Sequence, residues 1–391
     1  MSKYNDTIYA LSTPTGKSAI AVIRVSGKDA IKALKKISSI KKIKTNDAKV
    51  LFLKYKKQAI DQVVVLYYKG PKSFTGEDVV EISCHGGTAV IIKISKVFEK
   101  LGLRLAEPGE FTKRALLNNK VDLVKTESIS DIINAETDKQ REVAIKNLSG
   151  GLSEFTKEIN QKLSKIVANI EALIDFSDED LPGGMLNKVK EQNKNIIRKI
   201  QTELKNAKLS MPIRHGVKIG IIGKPNTGKS SFINFISNKN ISIVTDIPGT
   251  TTDSITSSID IKGFKFIFID TAGLRKHKNK IEKIGIQKTK ETIEKSELNL
   301  VFLEKNEENK YSKIKKKIFI KSKSDKRKKT KNKTTHHNIS SITGEGIDLL
   351  LREILKKTTK ARKNIPILSR ERHITIMTQV LNILKSVKFS Q

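Results

Sequence analysis

Short apolar runs and helical spacing of apolar residues alternate along this 391-residue chain. Within residues 1–120, helical spacing near Val90 to Leu101 accompanies four strand-like runs, which are Thr7 to Leu11, Ala19 to Val25, Val63 to Tyr68 and Val79 to Ser83. From about Val121 to Leu209, apolar residues recur three and four positions apart, which is typical of amphipathic helices. The first half of the chain is therefore predicted to be an α+β domain followed by helices.

A second mixed region begins at Val217. The apolar runs Val217 to Ile222 and Phe264 to Ile269 indicate strands, and helical spacing resumes from Leu349 to the end of the chain. We therefore predict a multidomain fold of the α+β and α/β classes. Its segments are an N-terminal α+β domain (residues 1–120), the first part of a helical domain (121–210), an inserted α/β domain (211–355) and the remainder of the helical domain (356–391).

A phosphate-binding loop follows the run that ends at Ile222. The chain there reads GKPNTGKSS and fits the pattern G-x-x-x-x-G-K-[S/T]. In such loops, backbone N–H groups surround the β-phosphate, Lys229 would reach the β- and γ-phosphates, and Ser230 would ligate Mg²⁺. The predicted nucleotide contacts are Asn226, Thr227, Gly228, Lys229, Ser230 and Ser231.

Two further segments fit the switch regions of a nucleotide hydrolase. The second strand-like run ends in Asp270-Thr271-Ala272-Gly273, which places a carboxylate near Mg²⁺ and a backbone N–H near the γ-phosphate. A loop rich in hydroxyl and turn residues precedes it, and Thr251 is the candidate that completes the Mg²⁺ shell when the γ-phosphate is present. Nucleotide contacts are expected from Thr245, Asp246, Ile247, Pro248, Gly249, Thr250 and Thr251.

The base is predicted to be guanine. Ser322-Lys323-Ser324-Asp325 resembles the N-K-x-D motif of GTPases with its Asn replaced by Ser322, which has no carboxamide. Asp325 can accept hydrogen bonds from two N–H groups that adenine lacks, and the stem of Lys323 can cover the base. Residues 340–346, SSITGEG, resemble the loop that closes over the base, with Ser340, Ser341 and Ile342 as contacts. Residues 217 to about 355 are therefore predicted to bind GTP.

Two positions separate this domain from a Ras-type switch. Leu274 stands where many GTPases carry the Gln that orients the attacking water. The side-chain oxygen of Asn226 could instead hold a monovalent cation beside the phosphates. Alternatively, Asn226 only serves the turn, because Asn is a common turn residue.

Five segments carry a wider resemblance, and the first two of them lie outside the nucleotide domain. They are FTGEDVVEISCHGG (74–87), EPGEFTKRALLNNKVDL (107–123), IVTDIPGTTTD (243–253), DTAGLR (270–275) and IEKIGI (281–286). With them the chain resembles the MnmE (TrmE) family of bacterial tRNA-modifying GTPases from Met1 to about Leu303. The resemblance implies an N-terminal tetrahydrofolate-binding and dimerisation domain and a Ras-like GTPase domain inserted into the helical domain.

The resemblance also implies an activity and partners. A homodimer would act with the flavoprotein MnmG, as a heterotetramer, to add an aminomethyl-type group at carbon 5 of the wobble uridine of certain tRNAs. The one-carbon unit would come from a tetrahydrofolate derivative similar to 5-formyl-tetrahydrofolate. GTP hydrolysis would open and close paired nucleotide domains.

Individual residues acquire roles only through this resemblance. Asn226 with Thr245, Ile247 and Thr250 corresponds to a K⁺ site, whose charge replaces the arginine finger of other GTPases. Glu282 corresponds to a catalytic glutamate that helps to orient the hydrolytic water, although a solvated helix charge is its ordinary interpretation. Arg24, Glu81 and Lys120 correspond to the folate site.

Composition favours an intracellular protein. Cys84 is the only cysteine, so neither a disulfide framework nor a Cys-based zinc site is expected, and a reducing compartment is predicted. Apolar runs fall short of the roughly 20 residues of a membrane span, and the first ten residues lack the apolar core of a signal peptide. The prediction is a cytoplasmic protein that does not contact the membrane.

The formal charge of +35 has two explanations. A basic surface attracts tRNA phosphates by counterion release. The surplus of lysine also runs through the entire chain, as a biased genome composition would produce, so charge alone leaves both explanations open.

Two departures from the family lead to further expectations. Residues 305–333 contain 14 Lys or Arg among 29 residues, which is typical of a solvated or disordered loop. The sequence stops at Gln391, whereas the family continues to a Cys-x-Gly-Lys tail, so GTP hydrolysis without tRNA modification is expected. The alternatives are a GTP-dependent RNA-binding or assembly factor and a truncated product with GTPase activity alone.

Overall fold

A computed structural model describes residues 6–175, 184–208, 210–239, 256–270, 291–304, 307–326, 336–359 and 365–388. The chain forms two compact units, Met1–Glu127 and Ser128–Gln391. Each unit contains a six-stranded sheet, and the second also contains long helices. The predicted multidomain fold with α+β and α/β parts is confirmed.

The first unit is built on an almost entirely antiparallel sheet of order β3-β4-β5-β2-β1-β6, in which only β1 and β6 run parallel. Its strands are β1 (Ile8–Leu11), β2 (Ser18–Ser26), β3 (Ala48–Tyr55), β4 (Gln58–Tyr68), β5 (Val79–Gly86) and β6 (Arg104–Leu105). Its helices are α1 (Ala30–Ile37), α2 (Thr88–Lys100), α3 (Glu110–Leu117) and the start of α4 (Leu123–Ile133). Strand β3 was not predicted, because its apolar run Val50 to Leu53 places apolar residues on both faces of this edge strand and so shows no apolar–polar alternation.

The two faces of this sheet differ in character. Alternate residues of β2 and β5, among them Ile23 and Ile82, are buried in one core with α1 and α2. Because successive side chains of a strand point to opposite faces, Arg24 and Glu81 lie on the face away from these helices. Both residues are paired in register across the two strands.

The second unit begins with helices. They are the end of α4, then α5 (Asp138–Leu148), α6 (Gly151–Asp175), α7 (Met185–Ala207) and α8 (Ser210–His215). Near the other end of the chain, α11 (Glu371–Ser386) buries Leu381 in the same core as Ile196 of α7 and Ile159 of α6. Helices from both sides of the α/β segment therefore share one core.

The α/β segment contains a sheet of order β12-β11-β10-β7-β9-β8, which is parallel except for the β8–β9 pair. Its strands are β7 (Val217–Gly223), β8 (Thr256–Ile261), β9 (Phe264–Asp270), β10 (Leu298–Phe302), β11 (Lys317–Lys321) and β12 (His337–Asn338), and its helices are α9 (Lys229–Lys239) and α10 (Ile347–Thr359).

One expectation about this segment needs correction. The helical spacing that resumes at Leu349 belongs to α10, whose Leu350 and Ile354 are buried in the core of the α/β sheet. It therefore begins in the α/β segment and not in the returning helical domain, and α10 runs past the predicted limit at residue 355 to Thr359. Among the helices that the structure describes, none is long and apolar enough to cross a bilayer.

Candidate functional site

The phosphate-binding loop lies between the end of β7 and the start of α9, as the sequence predicts. Gly223 and Gly228 have positive φ angles of 153° and 91°. A Cβ atom at Gly223 would lie 2.7 Å from the carbonyl oxygen of Phe302, and one at Gly228 would lie 2.6 Å from Oγ of Ser322. Only glycine satisfies both the backbone conformation and the close approach at these two positions.

The side chain of Lys229 lies against the phosphate loop and bonds to its backbone. Its side chain is buried, and Nζ donates to the carbonyl oxygens of Gly223 at 3.0 Å and Lys224 at 2.5 Å. The hydroxyl of Thr227 donates to the same Lys224 carbonyl at 2.8 Å. The ammonium group is thus held within the loop, where phosphate oxygens can replace the carbonyls as acceptors.

Asp270 lies at the carboxyl end of β9, directly beside the phosphate loop. It pairs in register with Ile221 of β7, and its side chain is buried. Ser230 is exposed in the first turn of α9. An oxygen ligand and a carboxylate therefore lie on neighbouring elements, which is the donor chemistry that Mg²⁺ prefers.

Residues 322–325, which we call the base-reading segment, meet the phosphate loop through Ser322. The buried hydroxyl of Ser322 donates to the carbonyl oxygen of Thr227 at 2.5 Å, and Nζ of Lys323 donates to the carbonyl oxygen of Asn226 at 2.9 Å. Ser322 has therefore lost the carboxamide of the usual motif but joins the two loops by a hydrogen bond. No local sequence pattern predicts this contact, because it links residues 95 positions apart.

The loop at residues 340–346 orients Asp325. The hydroxyl of Ser340 donates to Oδ1 of Asp325 at 2.7 Å, and this hydrogen bond lowers the pKa of the carboxyl group. The same oxygen of Ser340 accepts from the backbone N–H groups of Ile342 and Thr343. Ile342 itself is exposed, whereas Ser341 is partly buried. Asp325 is therefore an exposed, ionised acceptor, as a guanine reader requires.

Several predicted contacts lie outside the described residues. They are Thr245, Asp246, Ile247, Pro248, Gly249, Thr250 and Thr251 of the first switch, Thr271, Ala272 and Gly273 of the second, and Glu282. Their roles stay predictions.

A second group of side chains converges on the open face of the N-terminal sheet. Nη2 of Arg24 lies 2.6 Å from Oε1 of Glu81, and both side chains are about three-quarters buried. The guanidinium carbon of Arg24 lies 5.4 Å from the ring centre of Phe74 and 5.5 Å from that of Phe111. The charged pair was predicted from the sequence. The two aromatic residues were not, although both lie in the segments 74–87 and 107–123 that carry the family resemblance.

Lys120 adjoins the loop that carries Phe74. A Cβ atom at Gly76 would lie 3.2 Å from Cγ of Lys120, so the lysine stem packs against this glycine. The side chain of Asn118 donates to the carbonyl oxygen of Thr75 at 2.7 Å, and this bond also holds the segment of Lys120 against the loop of Gly76. The structure thus associates Lys120 with the loop that contributes Phe74, next to the Arg24–Glu81 pair.

A buried ionic cluster holds the two aromatic segments together. Arg114 is fully buried and bonds to Glu110 at 2.9 Å, to Glu77 at 3.2 Å and to Asp6 at 2.8 Å. Glu77 follows Phe74 by three residues, and Glu110 precedes Phe111. Since removing one partner of a buried ion pair leaves an uncompensated charge, Arg114 fixes the spacing of the segments that hold Arg24.

Glu110 is the most strongly perturbed carboxyl group of this cluster. Burial alone would raise its pKa, but hydrogen bonds from Arg104, from the backbone N–H of Glu107 and from Arg114 outweigh burial and lower the pKa to about 2. The carboxylate thus stays ionised inside the domain.

Comparisons with known proteins cover both units. Residues 7–120 match the family described as GTP-binding protein TrmE N-terminus, and residues 123–391 match the MnmE helical domain. The tRNA modification GTPase MnmE of Aquifex aeolicus is 36% identical over 399 residues, which cover 98% of this chain and 89% of that protein. The protein of the same name from Thermotoga maritima is 38% identical over 372 residues, covering 90% of this chain and 82% of that protein.

A third relative and one solved structure match shorter parts of the chain. The MnmE protein of Pelagibacter ubique is 42% identical over 301 residues, which cover 76% of this chain and 68% of that protein. The G domain of the T. maritima FeoB iron transporter is 23% identical and covers 36% of this chain and 98% of that domain, with a TM-score of 0.28. So low a TM-score adds nothing to the match with the families and relatives.

Replacing Ser322 tests the contact between the two loops. Ser322→Ala removes the donor to the buried Thr227 carbonyl, and we expect GDP binding to weaken by about two- to tenfold, as the loss of one hydrogen bond implies. Ser324→Ala is the matched control, because the Ser324 hydroxyl bonds only weakly to Glu345, at 3.3 Å. Isothermal titration with GDP measures both. Equal affinities of the two variants would show that the Ser322 bond does not support the site.

The depressed pKa of Glu110 predicts a pH dependence of stability. The ionised carboxylate stabilises the folded unit fully above its ordinary pKa of 4.5, and this contribution is lost as the pH falls from there through about 2. Melting followed by circular dichroism should show a steep loss over this range. Glu110→Gln should melt lower at neutral pH and change less with acidification, whereas the exposed control Glu171→Gln should follow the native profile. An unchanged profile in Glu110→Gln would contradict this role.

Proposed function

The chain belongs to the MnmE family of tRNA modification GTPases, and we propose that it couples GTP hydrolysis to the modification of tRNA. The observation that carries this proposal is the direct contact between the phosphate loop and the base-reading segment, through Ser322 and the Thr227 carbonyl. This contact brings a phosphate-binding loop and an ionised guanine acceptor, Asp325, to one end of one sheet. A guanine nucleotide is the ligand that satisfies both.

Nucleotide binding would use groups that the loop already orients. Nζ of Lys229 would exchange two backbone carbonyls for β- and γ-phosphate oxygens, and the N-terminus of α9 would face the phosphates. Ser230 and Asp270 fit a Mg²⁺ ion, with Thr251 proposed as a further ligand. Mg²⁺ in such a site neutralises charge on the phosphates.

We also propose that Asn226 contributes to a K⁺ site, with Thr245, Ile247 and Thr250 as its partners. Asn226 is exposed at the turn of the phosphate loop and has a φ angle of 61°. This conformation is compatible with a turn residue, because Asn tolerates positive φ, and with a K⁺ ligand, because Asn offers a side-chain oxygen. Glu282 is proposed to help orient the hydrolytic water.

The open face of the N-terminal sheet is the proposed folate site. Arg24 is positioned to bind a carboxylate or pterin oxygen, Glu81 to accept from pterin N–H groups, and Lys120 to add a second cation. Phe74 and Phe111 offer flat apolar surfaces beside the guanidinium group. The one-carbon unit would be transferred to carbon 5 of the wobble uridine, with a homodimer of this chain acting together with the flavoprotein MnmG in the cytoplasm.

The K⁺ site can be separated from a simple turn role by using glycine in place of alanine. Asn226→Gly removes the side-chain oxygen but accepts the positive φ without strain. We expect faster GTP hydrolysis in KCl than in NaCl at equal ionic strength, and no such difference in Asn226→Gly. Asn46→Gly is the matched control, since Asn46 has a φ angle of 62° in the other unit. A K⁺ preference that survives in Asn226→Gly would assign Asn226 to the turn alone.

Modification is tested in a strain that depends on this chain. Because the match with the MnmE helical domain extends to residue 391, we replace the earlier expectation of GTP hydrolysis without modification. Mass spectrometry of nucleosides from the tRNA of this strain should therefore detect wobble uridines modified at carbon 5. Lys229→Met should abolish them because the phosphate loop loses its cation, whereas Lys188→Met, an exposed position of α7, should not. GTP hydrolysis without modified uridines, with MnmG and folate present, would reject the modification half of the proposal and favour a protein with GTPase activity alone.

A further inference from the structure

Lysines cover a surface of the N-terminal unit that neither site uses. Residues 28–57 contain eleven lysines and only two acidic residues, Asp29 and Asp47. Helix α2 adds Lys93, Lys96 and Lys100 against one acidic residue, Glu99. Ten of the eleven lysines in residues 28–57, and all three of α2, are exposed. We call this set the lysine surface; it comprises α1, the loop to β3, β3 itself, the β3–β4 turn and α2.

Contacts between these elements make the surface continuous. Ser38, after α1, forms an isolated bridge with Leu53 of β3. Ile40 and Ile43 pack against the core, which anchors the loop that presents Lys41, Lys42 and Lys44. Nζ of Lys93 on α2 donates to the side chain of Gln58, at the start of β4, at 3.2 Å. These contacts show that the elements carrying the lysines belong to one packed structure.

A lysine-rich composition does not by itself explain this concentration. Helix α6 has 25 residues and carries three lysines against four acidic residues, Glu154, Glu158, Glu171 and Asp175. A uniform compositional bias would make both surfaces basic. The positive charge is therefore unevenly distributed over the described helices, and the lysine surface is one of its centres.

We propose that the lysine surface binds the phosphate backbone of tRNA. Lysine ammonium groups neutralise phosphates as point charges and release counterions on binding. The exposed positions of α1 are Lys32, Lys35 and Lys36, with no large apolar side chain among them. A helix that lies on a membrane needs exposed Trp, Phe or Leu residues, so the composition of α1 favours RNA over lipid. The other elements of the set do expose Val50 and Phe52 on β3 and Ile92 on α2, and the test therefore includes lipid vesicles.

The position of the surface defines its role. It lies largely on the helix-covered side of the sheet, whereas Arg24 and Glu81 lie on the other side. The lysines would therefore hold the body of the RNA through contacts that position it without reading sequence, away from the reacting base. This inference rests on the proposed function, from which tRNA as the substrate is taken.

The test compares two triple variants with the same change in charge. Lys35, Lys42 and Lys96 on the lysine surface are replaced by Gln in one, and Lys157, Lys162 and Lys165 on α6 in the other. Fluorescence anisotropy of labelled tRNA over a series of KCl concentrations measures affinity and its salt dependence. The first variant should bind more weakly, with the slope of log K against log salt reduced by about two to three, because each phosphate contact contributes roughly 0.7 to 0.9. The α6 variant should retain the native slope.

Three outcomes would overturn the inference. Equal loss in both variants would mean that net charge alone attracts RNA. Unchanged tRNA binding by the lysine-surface variant, combined with lost sedimentation with phosphatidylserine vesicles, would assign the surface to lipid. If the native chain does not bind tRNA, the proposed function is rejected together with this inference. GTP hydrolysis by each variant reports separately on the nucleotide domain, and circular dichroism reports on folding.

Discussion

The hydrogen bond from Ser322 to the Thr227 carbonyl is the contact on which the nucleotide site depends. The phosphate loop follows β7 and the base-reading segment follows β11, with β10 between these strands. Because all three strands are parallel, both loops leave the same edge of the sheet. Gly228 permits the close approach, since a Cβ atom there would lie 2.6 Å from Oγ of Ser322. This contact fixes the separation of the phosphate and base subsites.

A different constraint shapes the N-terminal unit. Its core needs α1 and α2 on one face of the sheet, and this arrangement leaves Arg24 and Glu81 on the other. Arg114 is fully buried yet ionised, so it requires the carboxylates of Glu77 and Glu110 beside it. Those carboxylates lie next to the segments of Phe74 and Phe111 in sequence. The ion pairs that compensate the buried charge of Arg114 therefore also position the two aromatic residues beside Arg24.

Local spacing predicted the strands, the phosphate loop and the order of the base-reading segments, because each depends on residues close together in sequence. Contacts between distant residues could not be predicted in the same way. Ser322 was interpreted only as a lost carboxamide, and the buried role of Arg114 was not anticipated. The edge strand β3 was missed because exposed Val50 and Phe52 remove the apolar–polar alternation that marks a strand. The spacing at Leu349 did not reveal that α10 packs in the α/β core.

One site at the end of the α/β sheet is expected to read both phosphate and guanine. Calorimetric titration of the native chain with GDP and with ADP tests this most directly, since the two nucleotides share their diphosphate and differ in the base. The account predicts that GDP binds at least about tenfold more tightly, a difference of about 1.4 kcal/mol, because only guanine offers the N–H pair that Asp325 accepts. Equal affinity for the two nucleotides would contradict it.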